Sequence, residues 1–503
     1  MFAAILRARR EKVKWFQADG RDLHSARGVA TDCFVKFVFT LLGSCFLAVN
    51  AAMAANPTIW RGPISGAVTP DSAWVKAKLG NKGSTARMLV SQNVDLSEPM
   101  WFGPMTAITD RGNMVEFRAK GLKPDTQYFY AIEVNGTVQL DRRGAFKTFP
   151  PADQPASFNF AFASCARTGS QNPVFDRIRE LRPLFYMNVG DFHYLNITSN
   201  ALVKFRMAYD QVLISPVQAT LYRSLPLVYV WDDHDFAGNN SDRRAPSHFA
   251  ARYVYEEYVP HYDMPAGEGD VPIYQTFTVG RVKFIVTDLR SERDPVHTPD
   301  GPNKSMLGAA QKAWFKKELL AAKGKYPLIF WVSTVPWIGN AGVNYYPLSS
   351  KVTGFIHHTN IALFKRNPAT AEDDREVKSN DDFWGAFIHE RREIADFIRD
   401  HQITGVCILH GDAHMLAADD GRHSDYSTGG GVHFPVMAAA PLDQNPSIKG
   451  GPYSQGVYRV RKGEGCFGFV QVRDRGEKID VQFSGRNYVN EEKISLKFSV
   501  PGN

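Results

Sequence analysis

Four apolar segments of this chain each end in side chains that can bind a metal ion. Residues 158–164 run Phe-Asn-Phe-Ala-Phe-Ala-Ser and stop at the thiol of Cys165. Residues 184–189 lead through Gly190 to the carboxylate of Asp191, with the phenol of Tyr194 three residues on. Residues 227–231 are followed by Asp232, Asp233 and His234, then by Asp235, Asn239 and Asn240. Residues 405–409 lead into His410, Asp412 and His414. Carboxylates and imidazoles suit divalent first-row metals or calcium, whereas a thiolate and a phenolate favour a more oxidised centre such as ferric iron. A carboxylate placed centrally at Asp191 can bridge two ions about 3.5–4 Å apart, and such a pair holds a phosphoryl oxygen and generates hydroxide at neutral pH. Each residue alone has a plainer reading: Cys165 as a buried small hydrophobe, Asp191 as a turn or helix cap, His234 as a satisfied core histidine. Four strand ends of this composition in one chain favour the metal.

The elements that must carry these ends are legible as alternation. From residue 157, apolar runs at 158–164, 184–189, 227–231, 282–287, 328–333 and 405–409 alternate with helical patterns at 174–181, 203–213, 250–259, 307–323 and 387–400. This pattern predicts α/β layers around a largely buried sheet. Ligands of such sheets bind outside the carboxyl ends of the strands, so the four ends are expected to converge on one crevice. Residues 339–382 lack periodicity and read as loops or an insertion. After Cys466 a strand pattern returns at 468–472, 478–483 and 494–498, expected to form a second sheet. Residues 57–150 read differently, as short strands at 64–69, 73–79, 85–92, 115–119, 127–134 and 145–149, which is a β-sandwich pattern. Tyr128 follows a leucine and a proline turn and is expected to close a sandwich corner through its hydroxyl. The segment resembles a fibronectin type III module. Pro150, Pro151 and Pro155 mark a stiff linker between it and a second domain at 157–503.

At 164–165, 190–194, 231–240, 288–290, 306–314 and 411–414, in this order over about residues 157–475, the chain resembles the PhoD-like alkaline phosphatase/phosphodiesterase family of the metallophosphatases. The resemblance implies a four-layer α/β/β/α metallophosphatase sandwich preceded by an all-β fibronectin/Ig-like domain, with a dinuclear centre of iron plus calcium. Carried residue by residue, it places Cys165, Asp191 and Tyr194 on the iron side, Asp191 also bridging. Asp233 falls at a ligand position of the second metal, and Asp412 and His414 at a Gly-Asp-x-His pair, one on each metal. His234 would face the phosphate as acid or hydrogen-bond donor. Arg290 is a candidate phosphate clamp, because its planar fork bonds two oxygens at once; a surface ion pair is the alternative. Asp235 stands where the broader pattern has glutamate, in a supporting position with Asp232, Asn239, Asn240 and His410. His193 is unusual inside Gly-Asp-x-x-Tyr and reads as a further ligand or as exposed. No histidine ends the 328–333 strand, so the second site relies on oxygen donors and favours calcium, with manganese, zinc and magnesium as other candidates.

Composition narrows the classes. The 503 residues, 44% hydrophobic and 22% charged, can bury a large core, and five cysteines are too few for a disulfide scaffold. The formal charge of +7 is mostly leader. A basic stretch from Arg7 to Lys14, an apolar run at 37–49 and Ala52-Met53-Ala54 are the parts of a signal peptide. The expectation is export to the periplasm or beyond, with cleavage near Ala54 and membrane contact only during export; an anchor or lipidation at Cys45 is the alternative. Without residues 1–55 the chain carries 51 basic against 48 acidic residues, a net +3, which argues against nucleic acid as a specific partner. Three cysteines then remain in an oxidising compartment, and a metal-binding role for Cys165 explains an unpaired thiol there. The function expected is an exported metal-dependent phosphohydrolase of phosphomonoesters or phosphodiesters. An enzyme for lipid or cell-wall polymer phosphodiesters, and a binding or adhesion protein on the same scaffold, are the alternatives. Oligomeric state is left open.

Overall fold

Period-two alternation turns the sequence between Ile59 and Lys147 into eight strands: β1 (Ile59–Gly66), β2 (Ser72–Leu79), β3 (Thr85–Ser91), β4 (Met100–Thr106), β5 (Met114–Lys120), β6 (Gln127–Val134), β7 (Thr137–Val138) and β8 (Gly144–Lys147). The computed structural model describes residues 59–340 and 382–502; the leader-like residues 1–55 and nearly all of the 339–382 segment lie outside the described residues. Strands β1, β2 and β5 pair in one sheet, and β4, β3, β6 and β7 in another, with β8 on the free side of β6. Their inner faces share a core that includes Val75, Phe117, Met88 and Ile132. Strand β4 was not legible in the sequence because Gly103-Pro104 interrupts it. As an edge strand with a register shift opposite Ala86–Met88 it tolerates the proline. The Tyr128 hydroxyl accepts the Lys123 backbone N–H at 2.9 Å, the corner bond expected from the sequence.

The chain continues with β9 (Phe158–Ala163), α1 (Val174–Glu180), β10 (Phe185–Val189), α2 (Leu202–Ile214), α3 (Pro216–Ser224), β11 (Leu227–Val230), α4 (Asp233–Phe236) and α5 (His248–Tyr258). Next come β12 (Gln275–Val279), β13 (Val282–Val286), α6 (Ala309–Ala322), β14 (Leu328–Val332), α7 (Ile388–Asp400), β15 (Val406–His410), β16 (Leu416–Asp419) and β17 (Val436–Ala439). The last strands are β18 (Val457–Tyr458), β19 (Cys466–Asp474), β20 (Lys478–Asn487) and β21 (Glu492–Pro501). Helix α3 escapes a pattern reading because Pro216 looks like a stop. It is instead the first residue of a new helix, whose cap Ser215 accepts the Gln218 N–H at 3.3 Å.

Two mixed sheets result. One runs β21-β20-β19-β9-β10-β11-β1-β2-β5, the other β12-β13-β14-β15-β17-β16-β18. The C-terminal strands therefore do not build the second sheet, as the sequence pattern led us to expect. Strand β19 pairs antiparallel with β9, from Gly468 opposite Phe162 to Val472 opposite Phe158, and so extends the first. The second sheet includes β12, β16 and β17, strands of four or five residues too short to stand out as pattern.

Alternation decides what each strand face meets. Phe160 stacks on Phe185 at 5.2 Å and meets Phe284 and Phe330 of the other sheet edge-on, at 5.4 and 5.2 Å. Those rings fill the space between the sheets. The residues one position along face outward: Trp331 packs on Phe315 of α6 at 4.6 Å, and Tyr186 on Tyr222 of α3 at 6.3 Å. Helices thus cover the outer faces of both sheets, giving helix, sheet, sheet, helix.

The proline linker does not separate these layers from the first strands: residues on both sides belong to one packed unit. Gly66 of β1 pairs in parallel with Leu227 of β11. A Cβ on Gly66 would stand 2.5 Å from the Leu227 carbonyl oxygen, so glycine is required for that approach. Gly66→Ala is expected to cost about 1–3 kcal/mol in denaturant unfolding, the range for overpacked sites; an unchanged midpoint would contradict the junction. A second link is His261, edge-on to Trp74 of β2 at 5.2 Å. Burial, then the charge of Lys76, pushes its pKa from 6.5 down to about 4. The unfolded chain therefore takes up this proton first, so the stability tied to neutral His261 is present above pH 6.5 and is lost as pH falls through about 4. His261→Gln should flatten that part of the stability-against-pH curve between pH 7 and 4.

Candidate metal centre

Parallel pairing puts the ends of β9, β10 and β11 side by side, with Asn188 opposite Ala163 and Val189 opposite Val230. Strand β15 brings its own end from the second sheet. Where the two sheets touch, a Cβ on Gly411 would lie 2.2 Å from Ser164 Oγ, so only glycine lets the His410–His414 turn close on the Cys165 turn. Immediately after the strands the backbone turns sharply. Cys165, Asp191, Asp412 and His414 have φ of 63°, 55°, 53° and 52°, the left-handed region that side-chain-bearing residues rarely occupy. Such strain persists where surrounding structure over-determines it, as it does at functional sites.

Two ligand groups form there. Donor atoms of Cys165, Asp191 and His414 lie within 4.8 Å of one another, and so do those of Asp191, Asp233 and His234. Asp191 belongs to both. Around the first group, Tyr194 donates its hydroxyl proton to Asp191 Oδ2 at 2.6 Å, and its oxygen stands 3.1 Å from His414 Nε2. Cys165 Sγ is 3.5 Å from Asp191 Oδ2. His414 Nδ1 bonds the Asn445 carbonyl at 2.6 Å; a carbonyl only accepts, so the proton is on Nδ1 and Nε2 keeps its lone pair. Around the second group, the His234 backbone N–H is shared by Asp191 Oδ1 at 3.2 Å and Asp233 Oδ1 at 3.0 Å. The Asn240 N–H holds Asp233 Oδ2 at 2.6 Å. The His234 ring stacks on Tyr194 with centroids 4.1 Å apart, and its Nδ1 meets Asn196 Oδ1 at 2.5 Å.

These donors fit metal ions. The Tyr194 and Cys165 protons both point at Asp191 Oδ2, beside the lone pair of His414 Nε2, an arrangement with no cation of its own. Burial, followed by Asp233, Asp232 and Asp235, drives the Asp191 carboxyl well above its usual range. Burial, then Asp191 and Asp412, raises the Cys165 thiol, and burial with Asp191 and Cys165 raises Tyr194. Burial, then Lys449, lowers His414 to about 4, so it is neutral and able to ligate. A cation among them reverses the shifts of Asp191, Cys165 and Tyr194 at once and keeps His414 neutral. Asp233 differs: against the cost of burial, Arg290 and His234 hold it below the usual range.

Several residues occupy places the sequence did not indicate. Arg290 does not face a substrate. It is 0% exposed, with Nε on Asp232 Oδ1 at 2.5 Å and two nitrogens on Asp382 at 3.2 and 2.8 Å. Its fork is thus spent on the protein's own carboxylates. Thr334 also donates to Asp232 Oδ1, at 2.8 Å, and burial lifts Asp232 to about 8. Asp235 accepts from Tyr229 at 2.5 Å and from the Phe192 and Asp232 N–H groups at 2.8 and 2.6 Å, tying the Asp191 turn to α4. His193 is not exposed and belongs to neither ligand group: it is buried beside Phe205 and Tyr209, both ring nitrogens lack a partner among the described residues, and burial lowers it to about 3. His410 is buried with Nδ1 on the Gly411 carbonyl at 3.1 Å, outside both groups. Asn239 is exposed. Asp412 also stands outside both groups; its Oδ2 bonds Lys449 at 2.6 Å. Lys449, Asp382 and Asn196 were not foreseen, since each sits in a loop with no spacing relation to the strand ends.

Comparison with known proteins agrees with this geometry. The profile of the PhoD-like phosphatase family matches residues 160–476. Alkaline phosphatase D of Bacillus subtilis (strain 168) is 22% identical over 445 residues, covering 78% of this chain and 67% of that protein. Tartrate-resistant acid phosphatase type 5 of Sus scrofa is 25% identical over 174 residues, 34% of this chain and 48% of that protein. The solved structure of PhoD matches with a TM-score of 0.67 at 18% identity, covering 90% of this chain and 92% of that one. A purple acid phosphatase from yellow lupin (Lupinus luteus) seeds matches at 0.55 and 12% identity, covering 89% and 74%. These structural likenesses show a shared fold.

The buried arginine makes a test of its own. Arg290→Met strands Asp232 and Asp382 without their main counter-charge and is expected to cost about 3–5 kcal/mol of stability. A folded Arg290→Met protein of normal stability with a raised KM would instead restore the clamp.

Proposed function

The chain belongs to the PhoD-like phosphatase family and is a phosphoric ester hydrolase, and from that premise we propose an exported enzyme that cleaves phosphomonoesters or phosphodiesters, in which the two ligand groups that share Asp191 would each hold a cation. The observation that carries this reading is the pair of ligand groups with Asp191 in common. Ferric iron suits Cys165, Asp191, Tyr194 and His414, since thiolate and phenolate favour an oxidised ion. Calcium suits the oxygen donors of Asp191 and Asp233. When bound, such ions supply Lewis-acid polarisation of the phosphoryl group.

The side chains have distinct tasks in this scheme. Asn196 Oδ1 can only accept, so it keeps a proton on His234 Nδ1 and leaves Nε2 as the atom that meets substrate. Protonated on both ring nitrogens, His234 then gives its Nε2 proton to the leaving group, with its ring stacked on Tyr194 at an interplanar angle of 29°. The Asn445 carbonyl and the Asn240 N–H keep His414 and Asp233 aimed inward. The basic, apolar and small-residue order of residues 7–54 supports export with cleavage near Ala54. Among the described residues no helix is long and apolar enough to cross a membrane. We read residues 57–150 as a fibronectin III-like module, supported by three strands facing a five-stranded sheet and by the Tyr128 corner.

The test is turnover of aryl phosphate mono- and diesters by purified protein supplied with iron, calcium, manganese or zinc. Turnover is expected, with a loss of at least a hundredfold in Asp191→Ala; full activity in that variant would refute the bridge. A visible charge-transfer band that disappears in Tyr194→Phe is expected of ferric iron at the first group. A colourless, active, zinc-only enzyme would overturn the iron assignment and leave the hydrolase standing.

A further inference from the structure

One cation of the protein itself reaches the centre. Lys449 lies in the loop between β17 and β18, and that loop is tied down on every side. Leu442 N–H bonds the Ser164 carbonyl at 2.9 Å, Ser447 N–H the His414 carbonyl at 3.2 Å, and Gly451 N–H the Ile338 carbonyl at 3.1 Å. The ammonium is therefore delivered by fixed backbone. Its side chain is 13% exposed, and Nζ sits 2.6 Å from Asp412 Oδ2. Asp382 and Asp233 are the next carboxylates that act on it. Asp382 is already matched by Arg290 and Arg293, which leaves Asp412 and Asp233 as the negative charge facing Lys449.

Asp412 is the one aspartate expected as a ligand that stands outside both groups. The carboxylate cannot serve two cations equally: an ammonium on Oδ2 offsets its charge and repels a divalent ion brought to the same group. We propose that Lys449 competes with the second divalent cation for Asp412, which makes the Asp233 side of the centre the weaker, exchangeable site. The inference rests on the two-ion reading above and adds the residue that grades the two sites. Without the lysine, Asp412 is a buried carboxylate left with only the weaker field of Arg290, and a metal ion becomes its best partner.

Isothermal titration of calcium alone, and of manganese alone, into the purified full chain after EDTA treatment tests this. Lys449→Met is expected to bind the second equivalent at least tenfold more tightly than wild type, with Lys449→Arg behaving as wild type. Circular dichroism reports whether each variant is folded, and Lys449→Gln supplies the neutral case if the methionine variant is not. Equal second-ion affinity in wild type and the neutral variant overturns the proposal, as does loss of the second equivalent, which would make Lys449 an orienting partner of Asp412. An inhibition constant for inorganic phosphate that rises in Lys449→Met with second-ion affinity unchanged also overturns it, in favour of a substrate contact. If neither protein takes up a second ion, the two-ion reading fails as well, an outcome distinct from the others.

Discussion

Aspartates 191, 232, 233, 235, 382 and 412 are all buried at one end of two facing sheets, and the need to offset their charge governs much else in the structure. A buried carboxylate is tolerated only when paired or hydrogen-bonded. Asp232 and Asp382 are answered by Arg290, Asp382 also by Arg293. Asp235 takes one hydroxyl and two peptide N–H groups. Asp412 takes Lys449. Asp191 has no cationic side chain in direct contact: it takes a shared N–H, a phenolic proton and the Cys165 thiol, while Asp233 takes the same N–H, the Asn240 amide and the field of Arg290. Negative charge left over at a defined point, next to a thiol and an imidazole lone pair, is what a metal-binding protein must build before any metal arrives.

The fold supplies the rigidity this needs. Parallel strands end together, the phenylalanines between the sheets lock the two ends in register, and four left-handed residues turn the chain out at once. The first sheet does not stop at the metal-bearing strands. It runs on through β11 and Gly66 into the N-terminal strands on one side, and through β9 into the C-terminal hairpins on the other. Chain segments far apart in sequence therefore hold the same edge.

Much of the centre was readable because it obeys local rules. An apolar run followed by Cys165, or by Gly190 and Asp191, shows both the strand and the group at its end. The shared carboxylate at Asp191 followed from its place among the four ends, and the structure brings it into both ligand groups. Arg290 misled for a physical reason: a guanidinium fork suits a phosphate and a pair of carboxylates equally, and only the arrival of Asp382, 92 positions later, selects the second. His193 misled likewise, since a histidine in a loop motif gives no sign that Phe205 and Tyr209 will enclose it.

The sequence by itself determined the strand ends, the donor types and the alternation that makes layers, because period and side-chain chemistry are local properties. Tertiary structure alone decided which charge meets which: Lys449 on Asp412, Asn196 on His234, the tail strands on β9 rather than in the second sheet. Those choices depend on loops and edges whose partners lie tens to hundreds of residues away, where no spacing rule reaches and electrostatic pairing is settled only when the layers close.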